Sequence, residues 1–105
     1  MVRREIIKKY AVFGNPIKHS LSPLIHEYFA KNYNIDLSYE PILCTLGKFT
    51  VEATNFLEKG GLGFNITLPF KQDAFKFAIT KSEIATITGS VNTISIKNGV
   101  IHGDN

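Results

Sequence analysis

The run Tyr10-Ala11-Val12-Phe13-Gly14-Asn15-Pro16-Ile17-Lys18-His19-Ser20-Leu21-Ser22-Pro23 decides the fold. An apolar strand from about Lys9 to Phe13 empties into a polar loop, and Ser22-Pro23 then opens a helix. Serine is a preferred N-cap and proline fits the first helical position, so the start signal is strong. The helix runs from Pro23 to about Tyr33 and keeps Leu24, Ile25, Tyr28, Phe29 and Tyr33 on one face. Two hydroxyls, Ser20 and Ser22, thus stand beside a helix N-terminus, where free backbone N–H groups favour an anion.

The same plan recurs downstream. Tyr39 to Cys44 reads as a strand, with Pro41 placing it near an edge. Thr45 can cap a second helix whose inner face is Leu46, Phe49, Ala53, Phe56 and Leu57, ended by Gly60-Gly61. Leu62 to Ile66 is a short strand. The cluster Asn65-Ile66-Thr67-Leu68-Pro69-Phe70-Lys71 leads into a third helix, Pro69 to about Ala78, with Phe70, Ala74, Phe77 and Ala78 inward. Ser82 to Thr88 is a short helix stopped by Gly89. Val91 to Ile96 and Val100 to His102 flank Asn98-Gly99, a tight hairpin turn.

Strand alternating with helix implies an open three-layer α/β sandwich, with a mostly parallel sheet, helices on both faces and a C-terminal antiparallel hairpin. In such sheets ligands settle beyond the carboxyl ends of the strands, where both polar clusters fall.

The 105 residues fit one domain able to bury its own core. Hydrophobic content of 44% and charged content of 20% exclude a disordered chain. No apolar run reaches membrane-span length, and Arg3-Arg4 to Lys8-Lys9 lacks a signal-peptide core. Cys44 is the single cysteine, so no intrachain disulfide forms and a cytoplasmic location is expected. His19, His26 and His102 share no ligand spacing with Cys44, and no metal is expected. A net charge of +3, spread along the chain, gives no footprint for nucleic acid, and no membrane partner is expected either.

The residues themselves leave two readings open. Ser20 and Ser22 either hold a ligand carboxylate or serve as loop hydroxyl and N-cap, and one serine can do both. Lys71 stands in the first turn of its helix, where the dipole disfavours a cation. It is either a functional amine or a lysine extended into solvent. Asn65, Thr67 and Asn92 sit at strand ends and need a ligand or a turn to satisfy them. His19 reads as structural and His26 as a helix-surface residue. Gly60, Gly61 and Gly63 do not form a dinucleotide fingerprint.

Taken together, G-N-P-I-x-H-S-x-S-P (14–23), N-I-T-L-P-F-K (65–71), G-S-V-N-T (89–93) and G-D-N (103–105) resemble the shikimate dehydrogenase family, in its N-terminal, substrate-binding half. The resemblance implies that residues 1–105 form a shikimate-binding domain, followed in the family by an NADP-binding Rossmann domain that this chain lacks. It further implies NADP-dependent interconversion of 3-dehydroshikimate and shikimate, on the route to chorismate and the aromatic amino acids. Lys71 matches the family's catalytic lysine. Ser20 and Ser22 would hold the substrate carboxylate, Thr67 and Asn92 its ring hydroxyls or carboxylate, and Asn65 would shape the pocket. The family pattern G-x-N-T-D-G places an aspartate against the lysine, and the chain stops at Asn105 short of it; Asp104 does not match. The expectation is an inactive fragment that binds the small-molecule substrate but no cofactor. A domain that also takes quinate, and a stand-alone carboxylate-binding module, are the alternatives.

Overall fold

In a computed structural model, residues 8–17 and 37–105 are described. The helix expected from Pro23, together with His19, Ser20, Ser22 and His26, lies outside them. Along the described chain the elements are β1 (Lys8–Gly14), β2 (Leu37–Leu43), α1 (Phe49–Glu58), β3 (Gly61–Ile66), α2 (Lys71–Phe77), β4 (Thr80–Lys81), α3 (Glu83–Thr88), β5 (Thr93–Lys97) and β6 (Val100–Asp104).

The strands form one six-stranded sheet in the order β2-β1-β3-β5-β6-β4. β1 pairs in parallel with both β2 and β3, and β4 with β6, while β3·β5 and β5·β6 are antiparallel. The mixed α/β architecture and the closing hairpin match the expectation. Asn98 and Gly99 both adopt positive φ, 52° and 76°, as a two-residue hairpin turn requires. Pro41 sits on β2, an edge strand, where its missing N–H costs no ladder bond on the outer side.

Strand alternation sorts the sheet into two faces. Ala11, Phe13, Phe64, Ile66 and Ile94 enter the hydrophobic core, with Phe49, Ala53 and Phe56 of α1 and Ala74 of α2. The core is aromatic. The Phe13 ring lies 4.6 Å from Phe64, 5.8 Å from Phe56 and 5.9 Å from Phe49, the last two edge-on. Phe49 also stacks on Phe70 at 5.7 Å. Such pairs each add about 0.5–1.5 kcal/mol beyond area burial. The opposite parity, Val12 on β1 and Asn65 on β3, pairs in register and faces away from this cluster.

Several boundaries differ from the sequence reading, and one short strand has no counterpart in it. Thr45 does not cap α1; Thr45 to Lys48 is a turn closed by Lys48 N–H to the Thr45 carbonyl, and Lys48 takes the N-cap position. The Glu52 carboxylate instead accepts the Thr45 backbone N–H at 3.1 Å. Leu46 therefore precedes the helix and is 65% exposed, not in the core. Pro69 does not begin α2 either. A turn closed by Phe70 N–H to the Thr67 carbonyl intervenes, so the helix starts at Lys71 with Phe70 as a buried N-cap residue. β5 begins at Thr93, not Val91, and β4 is an edge strand too short to leave a periodic signal. Where local chemistry was unambiguous the agreement is close: the Ser82 hydroxyl caps α3 by accepting Ala85 N–H, and Gly89 ends that helix.

Candidate functional site

The loops that follow β1 and β3 are zipped together. Thr67 N–H donates to the Phe13 carbonyl at 2.9 Å and Asn15 N–H to the Leu68 carbonyl at 3.0 Å. The Asn15 side-chain amide donates to the Cys44 carbonyl at 3.0 Å, fastening the loop after β2 to the same knot. Gly14 is the residue that permits this approach, because a Cβ there would overlap the Thr67 methyl. The peptide bonds Asn15-Pro16 and Leu68-Pro69, one in each loop, are cis.

Beside the knot opens a cleft of about 660 Å³. Asn65, Thr67, Lys71 and Asn92 all line it, with Val12, Ile17 and Leu68 as apolar wall. These four polar residues, each singled out from the sequence, therefore share one space. Ser20 and Ser22 lie outside the described residues. Two backbone bonds hold the far wall: Val91 N–H donates to the Lys71 carbonyl at 3.1 Å, and Ile66 N–H to the Asn92 carbonyl at 2.8 Å.

The cleft has one formal charge among its described lining residues, the Lys71 ammonium, and no carboxylate. Lys71 is half-buried at the start of α2, and its amine has no hydrogen-bond or ion-pair partner among the described residues. Asp104, the acid of the terminal G-D-N, does not line the cleft. The Ser82 hydroxyl and the Asn105 backbone N–H bond its carboxylate and hold it below the usual carboxylate range. The arrangement suits a small polar anion whose oxygens meet amide, hydroxyl and ammonium donors.

Sequence reasoning missed Tyr39 and Thr93. The Tyr39 hydroxyl donates to Asn65 Oδ1, the Asn65 amide donates to Thr93 Oγ1 at 3.2 Å, and the Thr93 hydroxyl donates to Asn92 Oδ1 at 2.9 Å. Burial pushes the Tyr39 phenol up, so it remains a donor. Strand parity combined with register gives the contact: Tyr39 pairs with Tyr10, and Tyr10 with Gly63, which puts Tyr39 and Asn65 on one face. That inference needs the register, which no local pattern supplies.

Residues 12–94 match the family model described as the shikimate dehydrogenase substrate binding domain. The chain belongs to that family. Over 97 residues it is 53% identical to the shikimate dehydrogenase (NADP(+)) of Ruthia magnifica subsp. Calyptogena magnifica, covering 92% of this chain and 36% of the relative. An Ael1 enzyme from Pseudomonas putida superposes with a TM-score of 0.88 at 41% identity, over 93% of this chain and 36% of that one. The shikimate 5-dehydrogenase of Thermus thermophilus, solved in complex with shikimate, does so at 0.85 and 30% identity, over 94% and 38%. The chain thus spans little more than a third of the length of these relatives.

The glycine-rich run before and within β3 does not form a dinucleotide fingerprint. Gly61 and Gly63 lie within β3, crowded by Phe56 and by the Ile94 carbonyl, so this glycine-rich run enters a strand and opens no helix toward a phosphate. Among the described residues no group of three potential metal ligands occurs, and no helix is long and apolar enough to cross a membrane.

Proposed function

We propose that this chain is the substrate-holding part of a cytoplasmic enzyme that interconverts 3-dehydroshikimate and shikimate with NADPH. The observation that supports it is the gathering of Asn65, Thr67, Asn92 and the Lys71 ammonium, which has no partner among the described residues, on one cleft with no carboxylate among its described lining residues, in a member of this family. About 300–1,000 Å³ is typical of small-molecule sites, and 660 Å³ falls within it. Thr67 and Asn92 bond ring hydroxyls, Ser20 and Ser22 take the carboxylate, and Asn65 shapes the floor. Lys71 bonds the oxygen that changes between carbonyl and hydroxyl. In reduction the ammonium donates the proton that this oxygen gains, and in oxidation the amine removes it. The hydride comes from a dinucleotide held by a part of the enzyme other than the described residues. The chain by itself binds substrate and does not turn it over.

The reading is tested by titrating the chain with shikimate while following the backbone and side-chain resonances of Thr67, Lys71 and Asn92. Saturable shifts at all three are expected, and quinate should bind more weakly. Activity is tested by replacing the aligned N-terminal third of the Ruthia magnifica relative with this chain. No shift at those residues would overturn the proposal, and equal or tighter binding of quinate would redirect it.

A further inference from the structure

Four side chains, three of them lining the cleft, form a hydrogen-bond chain with a fixed direction. Tyr39 has one hydroxyl proton and gives it to Asn65 Oδ1. That turns the Asn65 amide nitrogen toward Thr93, whose hydroxyl accepts from it and gives its own single proton to Asn92 Oδ1. The carbonyl of Asn92 is thereby used, while its NH2 group has no partner among the described residues. Asn92 lines the cleft; Tyr39 does not, being buried on the edge strand β2 with β1 between it and Asn65.

We infer that Tyr39 is a positioning residue: through Asn65 and Thr93 it fixes the orientation of the Asn92 amide, so that the cleft meets its ligand at that point with a donor. A freely rotating asparagine would offer a carbonyl or an NH2 group and discriminate little. A locked NH2 group donates only to an oxygen lone pair there, of a hydroxyl or a carboxylate, and leaves a ligand donor unsatisfied. Val12 and Asn65 sit at the same register level, and Asn65 faces Thr93 directly across the antiparallel β3·β5 pair, so sheet geometry sets the spacing of the chain. The inference rests on the cleft being the substrate site.

The test uses the 105-residue chain, its Tyr39→Phe and Thr93→Val variants and the double variant. In ligand-free samples the side-chain amide resonances of Asn92 are recorded. Tyr39→Phe, which keeps the buried ring, should move them through Asn65 and Thr93. In shikimate titrations each single variant should weaken binding about fivefold to twentyfold, the range for a polar group losing its partner. The double variant should bind no worse than the weaker single one, because both cuts interrupt one chain. Unmoved Asn92 amide signals in Tyr39→Phe, parent-like affinity, or losses that multiply in the double variant would each overturn the relay. Failure of the parent to bind shikimate would instead overturn the substrate reading, and the ligand-free amide signals would still decide whether the chain of bonds exists.

Discussion

Gly14→Ala is the sharpest probe of how the cleft is held. The added methyl would overlap Thr67 Cγ2, come within 2.9 Å of Ile17 Cδ1 and stand 3.4 Å from the Leu68 carbonyl oxygen. Thr67 and the peptide that follows it cannot retreat cheaply. Thr67 is pinned by its N–H to the Phe13 carbonyl, and the next peptide by Asn15 N–H to the Leu68 carbonyl. Overpacking costs about 1–3 kcal/mol, and a site with backbone held on both sides belongs in the upper half of that range. For a domain near this size each kcal/mol lowers the melting temperature by about 4–8 °C, so a fall of roughly 8–24 °C is expected.

Because Thr67 and Ile17 both line the cleft, shikimate binding should weaken as well. The decisive comparison is the Thr67→Ser background, which deletes the methyl that would be struck and keeps the hydroxyl. There the Gly14→Ala cost should shrink by about 1 kcal/mol or more, a coupling of the size seen for residues in contact. The Ile17 contact remains, so recovery is partial. Urea titrations of the four proteins supply the numbers. A Gly14→Ala cost within about 0.5 kcal/mol of zero, or an equal cost in both backgrounds, would refute the close approach of the two loops.

Phe49→Ala should cost about 3–5 kcal/mol in the same assay, since the ring is 2% exposed and touches Phe13, Phe64, Phe70 and Phe77. Lys71→Met, placed in the active chimeric enzyme, should lower kcat by about 10²–10⁴-fold with a smaller change in shikimate affinity, as loss of an acid–base group does; an unchanged kcat would remove Lys71 from the chemistry. Burial, reinforced by the hydrogen bond and charge of Glu52 and then by the charge of Asp73, pushes the Cys44 thiol up to about 12 from 9.0. The folded thiol should resist alkylation at about pH 8 and react on unfolding, because the thiolate is the nucleophile. A folded-state value above the unfolded one means the unfolded chain loses its proton first, so stability should decline from about pH 9 toward 12. Cys44→Ser should flatten that limb.

How much of this was legible depended on how local the physics is. Ser82 as a cap, Gly89 as a stop and Asn98-Gly99 as a hairpin turn follow from a few consecutive residues, and the structure has all three. Pro41 announced an edge strand for the same reason. Thr45 and Pro69 misled because each is a good helix-start residue displaced by a competing turn: Glu52 reaches back to the Thr45 N–H, and the Thr67–Phe70 turn absorbs Pro69. Lys71 kept its position at the start of α2 all the same. The Tyr39–Asn65 contact spans 26 residues and depends on two strand registers, neither of which is written in a local pattern.

The topology explains why distant segments meet at one cleft. β1 lies between β2 and β3, so the strand order reverses direction at β1. At such a reversal the carboxyl ends of neighbouring strands cannot be covered by a single crossover, and a crevice is left open. The chain fills its rim with short polar side chains because strands end there and backbone groups need partners. Asn65 near the end of β3 and Asn92 just before β5 line this crevice. Asn65 is held by Tyr39 and Thr93, and Asn92 by the Thr93 hydroxyl and by backbone bonds to Ile66 and Asp104, while Asn15 just after β1 ties its loop to the Cys44 carbonyl. A site assembled this way keeps its geometry through the sheet itself. Among the described residues of the cleft, Lys71 has the one long, charged side chain, so under the proposed function it is the group that would move a proton while the shorter amides around it would hold the substrate.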